Sequence, residues 1–223
     1  QRIATAYQKL GYFAVAVTAK QERAGNAITV TFIVEEGPRA HARVEIVGLP
    51  ADVPFAKAHA QVPIKDGDPF DYDQYDDAKD PLQRVLFDAG YAHAEVAGTV
   101  IADRAHALAT VRFVISPGPH TTFGQITVDG ADGILGRSVS GRIAFTPGEP
   151  FSQAKLDQTQ TAIYASGLFA SVRVDVDRDD PNATEIPIKI TVTTITRNEV
   201  TAGGGLGIDT LTYNARLRGT WIR

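Results

Sequence analysis

Hydrophobic and polar positions change period in the same order three times along the chain. In the first stretch Ile3, Ala6, Tyr7 and Leu10 share one face of a helical wheel, predicting a helix from Arg2 to Leu10. Gly11 stops it, and Tyr12 to Lys20 predicts a strand. Gly25-Asn26 reads as the turn of a hairpin whose return strand alternates Ile28, Val30, Phe32 and Val34 with Thr29, Thr31 and Ile33.

The second stretch is longer. It predicts a strand from Arg43 to Val47, a short helix around Pro54 to Ala60, a turn-rich loop from Lys65 to Phe70, and a long helix from Tyr72 to Ala89. Asp71 stands as N-cap with Gln74 three residues on and Phe70 as hydrophobic staple, while Pro81 is expected to kink or split the helix. After Gly90 come two strands, Tyr91 to Ile101 and Leu108 to Ile115, with Val111, Phe113 and Ile115 on one face.

The third stretch repeats this order: a strand from Phe123 to Val128, a short helix from Ile134 to Ile143, a loop from Thr146 to Phe151, and a helix from its N-cap Ser152 to Ser166. Val172, Val174 and Val176 then alternate with Arg173, Asp175 and Asp177, and Ile186, Ile188, Ile190 and Val192 form the partner strand.

Gly11, Gly90 and Gly167 sit at the helix-to-strand corners, 79 and 77 residues apart, and read as structural repeat glycines. A helix that ends at positive φ favours glycine there. The repeated unit is β-α-α-β-β, an α+β module with two helices on one face of a three-stranded sheet. The expected domains are 1–38, the C-terminal part of one module; 39–119 and 120–197, two complete modules; and a tail, 198–223.

In the tail the period changes again. Val200, Ala202, Gly204, Leu206 and Ile208 alternate with Thr201, Gly203, Gly205 and Gly207, and a second alternating stretch runs from Tyr213 to Trp221. Two strands of this length, one face apolar and the other polar, match either transmembrane β-barrel strands or an ordinary exposed hairpin.

Composition narrows the chemistry. A net charge of −4, with 22 basic and 26 acidic residues and no run of either sign, offers no footprint for nucleic acid. The absence of Cys removes disulfides, thiolate nucleophiles and the commonest zinc sites. With no Met and a start inside a helix, the chain reads as a piece of a longer protein. Asp71 to Asp77 fails as a calcium loop, since Asp76 and Leu82 stand where Gly and Glu are needed. The glycines from Gly203 to Gly207 fail as a dinucleotide fingerprint, because Ile208 stands at the third glycine and no helix follows. His41, His59, His93, His106 and His120 are scattered, so no catalytic, metal or cofactor site is expected.

The helix-Gly-Tyr/Leu-Phe corners, the DGDPF and PGEPF loops, the EEGP and SPGP closures and the terminal GGGLGIDT resemble POTRA modules. Together they are similar to such modules running into the first strands of a bacterial outer-membrane assembly barrel. That superfamily includes BamA, TamA and two-partner secretion transporters, and the GPHTTFGQITVDG linker is most similar to the TamA branch. The resemblance implies a non-enzymatic protein of the outer membrane whose modules lie in the periplasm and receive unfolded outer-membrane or autotransporter clients. An inner-membrane-anchored TamB-like protein or accessory lipoproteins would be its partners.

It also implies that the strand after each long helix is a client-binding edge. The candidate residues are Ala92, His93, Ala94, Glu95 and Val96 in one module and Leu168, Phe169, Ser171, Val172, Arg173 and Val174 in the other. Gly203, Gly204, Gly205 and Gly207 would weaken a barrel seam that opens laterally. A soluble repeat adaptor ending in a plain hairpin is the reading from a different class.

Overall fold

Local chemistry sets the first elements. In the computed structural model, which describes residues 2–195, 199–209 and 212–222 (the last two ranges as backbone), α1 (Arg2–Lys9) ends at Gly11, whose φ is +93°. The strand expected at Tyr12 begins later. Val15 closes a turn by donating to the Tyr12 carbonyl (3.3 Å), and β1 (Ala16–Ala24) follows. It pairs antiparallel with β2 (Ala27–Glu35) across the Gly25-Asn26 turn. Ile28, Val30 and Phe32 of β2 are exposed.

The next elements are β3 (His41–Val47), α2 (Phe55–Gln61), α3 (Tyr72–Asp77), α4 (Lys79–Asp88), β4 (Glu95–Asp103) and β5 (Leu108–Ser116). The long helix is split at Ala78, and Pro81 stands at the third position of α4, where its missing amide proton breaks no helical bond. Asp71 caps α3, accepting from the amides of Asp73 and Gln74 (2.9 and 3.3 Å). The strands form a sheet of order β3-β5-β4, with β3 parallel and β4 antiparallel to central β5. Every second residue of β5 is buried: Val111 and Phe113 in a core cluster with Phe70 and Leu82, and Ile115 in a second one with Leu86.

The third repeat consists of β6 (Thr122–Asp129), α5 (Gly133–Ser140), α6 (Gln153–Ala165), β7 (Phe169–Val176) and β8 (Glu185–Thr194), with strand order β6-β8-β7. β9 (Glu199–Asp209) and β10 (Thr212–Ile222) form a separate antiparallel pair. The Ser152 hydroxyl, at the start of α6, donates to Asp88 (3.1 Å).

Backbone proximity divides the chain into two compact units. The first comprises Gln1–Gln125, Phe145–Leu156 and Val176–Pro187, and it includes an aromatic cluster in which Phe123 stacks on Phe145 (4.0 Å between centroids) and leans on Phe151 (5.3 Å). The second comprises Ile126–Ala144, Asp157–Asp175 and Ile188–Arg223, with Val139, Ile163, Ile188 and Ile190 fully buried. There the buried Thr159 hydroxyl accepts the Ala144 amide (2.9 Å). No helix among the described residues is long and apolar enough to cross a membrane, which says nothing of strands.

Candidate functional site

The two edges of the sheet β3-β5-β4 are built differently. In β3 the His41 amide donates to the Ala107 carbonyl (2.9 Å), so odd-numbered residues of this strand turn their backbone groups toward β5 and even-numbered ones away. Those outward groups are taken by the chain's own loop. The Ala42 amide donates to the Asp68 carbonyl (2.7 Å), the Gly67 amide to the Ala42 carbonyl (2.9 Å), and the Val44 amide to Asp66 Oδ1 (2.6 Å).

β4 is the other edge. Odd residues of β5 face β3, so its even residues face β4, and the register Thr99↔Arg112 and Ala97↔Val114 sets the odd residues of β4 against them. Val96, Gly98, Val100 and Ala102 therefore direct N–H and C=O away from the sheet, the row of groups an added strand requires.

A cleft of about 620 Å³ lies beside this row, lined by Lys9, Phe13, Phe70, Tyr72, Tyr75 and Gly98 among others. Tyr75 lies on Gly98, where a Cβ would come within 2.6 Å of the phenol oxygen; only glycine leaves the ring in place. Tyr75 also stacks on buried Phe113 (5.8 Å) and carries the Lys79 ammonium over its ring (4.8 Å). The hydrogen bond to Asp76 (2.7 Å) holds the Lys79 ammonium above its ordinary pKa. Lys9 lies over Tyr72 at 5.0 Å, so the cleft has an aromatic floor and a cationic rim. Sequence reasoning missed this cleft; a glycine inside an otherwise branched strand was the available signal.

Of the residues expected on this edge, Glu95 and Val96 lie in β4. Ala92, His93 and Ala94 do not. They form a turn in which Ala94 donates to the Tyr91 carbonyl (3.1 Å), and Ala92 and Ala94 are buried. The turn arises because the Ala92 amide is drawn onto the buried Thr121 hydroxyl (3.2 Å) instead of a strand partner.

β7 stands at the edge of its own sheet. Leu168 precedes it; Phe169 and Val172 turn into the core, Ser171 and Arg173 are exposed, and Val174 is half-buried. Two of its positions already have local partners. Gln160 Nε2 donates to the Val172 carbonyl (3.1 Å), and Arg173 pairs with Asp175 (2.8 Å).

Gly203, Gly204, Gly205 and Gly207 lie in β9, opposite Arg218, Leu217, Arg216 and Asn214 of β10. Gly11, Gly90 and Gly167 all have positive φ: +93°, +94° and +64°. Among the described residues no group of three metal-ligating side chains comes together.

Comparison with known proteins agrees with this geometry. The BamA POTRA3-5 fragment of Haemophilus influenzae superposes with a TM-score of 0.61 at 17% identity, covering 84% of this chain and 76% of that one. BamA of Haemophilus ducreyi lacking POTRA domains 1-3 superposes with a TM-score of 0.58 at 14% identity, covering 81% of this chain and 34% of that one. At such identities the likeness is one of fold. No curated protein sequence matches. The family model for POTRA, described as surface antigen variable number repeat, matches residues 42–118 and 121–194. Those two matches span more than half of the chain, which therefore belongs to the POTRA family.

Proposed function

We propose that this chain is the periplasmic receiving region of a TamA-like outer-membrane assembly or translocation factor, binding extended client or partner segments by strand addition and without enzymatic chemistry. The reading divides the chain at 38, 119 and 197, with residues 198–223 as the first strands of a membrane barrel whose seam is loosened by Gly203, Gly204, Gly205 and Gly207. An inner-membrane-anchored partner would feed the same modules.

One observation carries the proposal: Val96, Gly98, Val100 and Ala102 present outward backbone groups beside the aromatic cleft, while the β3 edge is closed by its own loop. Backbone pairing gives affinity with little sequence selectivity, which suits a receiver of many unfolded chains. Glu95 and Val96 start the primary edge. Phe169, Ser171, Val172, Arg173 and Val174 form a weaker one, since Gln160 already occupies the Val172 carbonyl.

The test is photocrosslinking from Thr99 and Ile101 to an unfolded outer-membrane protein, together with Val100→Pro. That substitution deletes an outward amide and spares the ladder to β5, so it should abolish adducts while the fold persists. Thr99→Pro deletes an amide facing β5 and should unfold the module. Undiminished adducts in Val100→Pro would refute strand addition at β4.

A further inference from the structure

Successive modules meet through equivalent residues. The Gly11 carbonyl accepts the Ala40 amide (2.9 Å), and the Gly90 carbonyl accepts the Thr121 amide (2.7 Å). The Phe70 amide donates to the Ala40 carbonyl (2.8 Å), and the Phe151 amide to the Thr121 carbonyl (3.0 Å). Arg39 lies over the Tyr12 ring (5.9 Å), and His120 meets the Tyr91 ring edge-on (5.4 Å). The two joints share one framework, and all of these residues lie in the first compact unit.

On that framework several residues differ besides Arg39 and His120. Lys9 of the first joint corresponds to Asp88 of the second, Asp71 to Ser152, Gln8 to Phe87, and Ala40 to Thr121. At the first joint α3 is capped by its own Asp71, and the ammonium of Lys9 rests on Tyr72. At the second joint Asp88 Oδ1 accepts the amide of Ala154 (2.8 Å), in the first turn of α6, and the hydroxyl of Ser152 (3.1 Å). A carboxylate suits the positive end of a helix, and an ammonium does not.

The first joint is further held by Arg39, which donates to the Leu10 and Phe70 carbonyls (2.8 and 3.3 Å), and the second by two other links. Thr121, fully buried, donates its hydroxyl to the Gly90 carbonyl (2.8 Å) and accepts the Ala92 amide. The Arg178 guanidinium lies over Phe87 (4.4 Å) and Phe151 (5.5 Å). Its Nε is buried without a hydrogen-bond partner among the described residues, an Nη donates to Gln153 Oε1 (3.5 Å), and desolvation holds its pKa below the ordinary value.

We infer that Asp88 is a helix cap supplied from one module to the next: the last turn of α4 holds the first turn of α6, so that the second joint is coupled through a helix start, whereas the first is tied through side-chain contacts such as Arg39 on the Leu10 and Phe70 carbonyls. Folding of the long helix in one module is thereby tied to that of its neighbour, a tie that the self-capped α3 lacks.

Amide hydrogen exchange on the 223-residue chain tests this. Asp88→Ala should raise exchange at Ala154 roughly five- to thirty-fold, the factor for a lost cap of ~1–2 kcal/mol, with Asp73 unchanged. Adding Ser152→Asp to Asp88→Ala should restore protection, because the cap is then carried by α6 itself, as in α3. Weakening the second module with Leu82→Val should speed exchange at Ala154 in the parent chain in step with Leu86. In the Asp88→Ala/Ser152→Asp chain its effect on Ala154 should be at least about three-fold smaller. Unchanged exchange at Ala154 in Asp88→Ala, no rescue by Ser152→Asp, or an equal effect of Leu82→Val in both backgrounds would each overturn the inference.

Discussion

Helices α3 and α6 begin at the same place in consecutive modules, yet one is capped by the residue before it and the other by a carboxylate from the preceding module. What a helix start requires is an acceptor within reach of its second amide; the chain segment that supplies it is immaterial. Once successive modules are joined on a fixed framework, that acceptor can pass to the neighbour, and a local stability device becomes a coupling between modules.

The comparison can be broken at several levels. The largest effect is expected from Phe151→Ala, which empties a fully buried ring position between Phe87 and Phe123 and should cost about 3–5 kcal/mol by denaturant unfolding. Next come the corner glycines of the two joints, Gly11 and Gly90. Both hold positive φ, so Gly90→Ala should cost about 1–2 kcal/mol. Gly11→Ala should cost more, because its Cβ would meet the rigid Phe70 carbonyl (2.9 Å), whereas at Gly90 it meets the His120 side chain, which can rotate aside.

The caps themselves give the sharper contrast. Asp71→Ala should destabilise by about 1 kcal/mol and Ser152→Ala by about 0.5 kcal/mol or less, measured side by side, although a sequence reading treats both as N-caps.

The smallest effect is expected in acid. The Glu149 carboxyl is held below its ordinary pKa first by the hydrogen bond from Lys155 (2.6 Å) and then by one from Thr146. A lowered folded pKa means this contribution is present above about pH 4.5 and is lost as the pH falls through the lowered value. Glu149→Gln should therefore shallow the fall in melting temperature between about pH 6 and pH 3. Because the Glu149 side chain is still partly open to solvent, the change should be slight and screened by salt.

The strand that carries the proposed function shows where sequence reading stops. The glycine stop at Gly90 put Val96 and Val100 on the strand that follows, and both pack against the core. The start of that strand was misplaced by four residues. Tyr91 to Ala94 has strand-like composition, but Thr121, thirty residues on, takes the Ala92 amide, and no local pattern carries that information. The cleft was invisible for the same reason, since Lys9, Phe70 and Gly98 meet only after three separate segments have packed.

By itself the sequence determined the repeat, the α+β module, an interruption of the long helix near Pro81, the hairpin turn at Gly25-Asn26 and the cap at Asp71. These depend on periodicity and on backbone preferences acting within a few residues. Tertiary structure alone decided which edge of the second sheet is closed, that Gly98 seats Tyr75, and that Asp88 serves a helix beginning 65 residues later. Those are pairings of groups distant in the chain, and their partners are chosen by the geometry of packing, which local pattern does not encode.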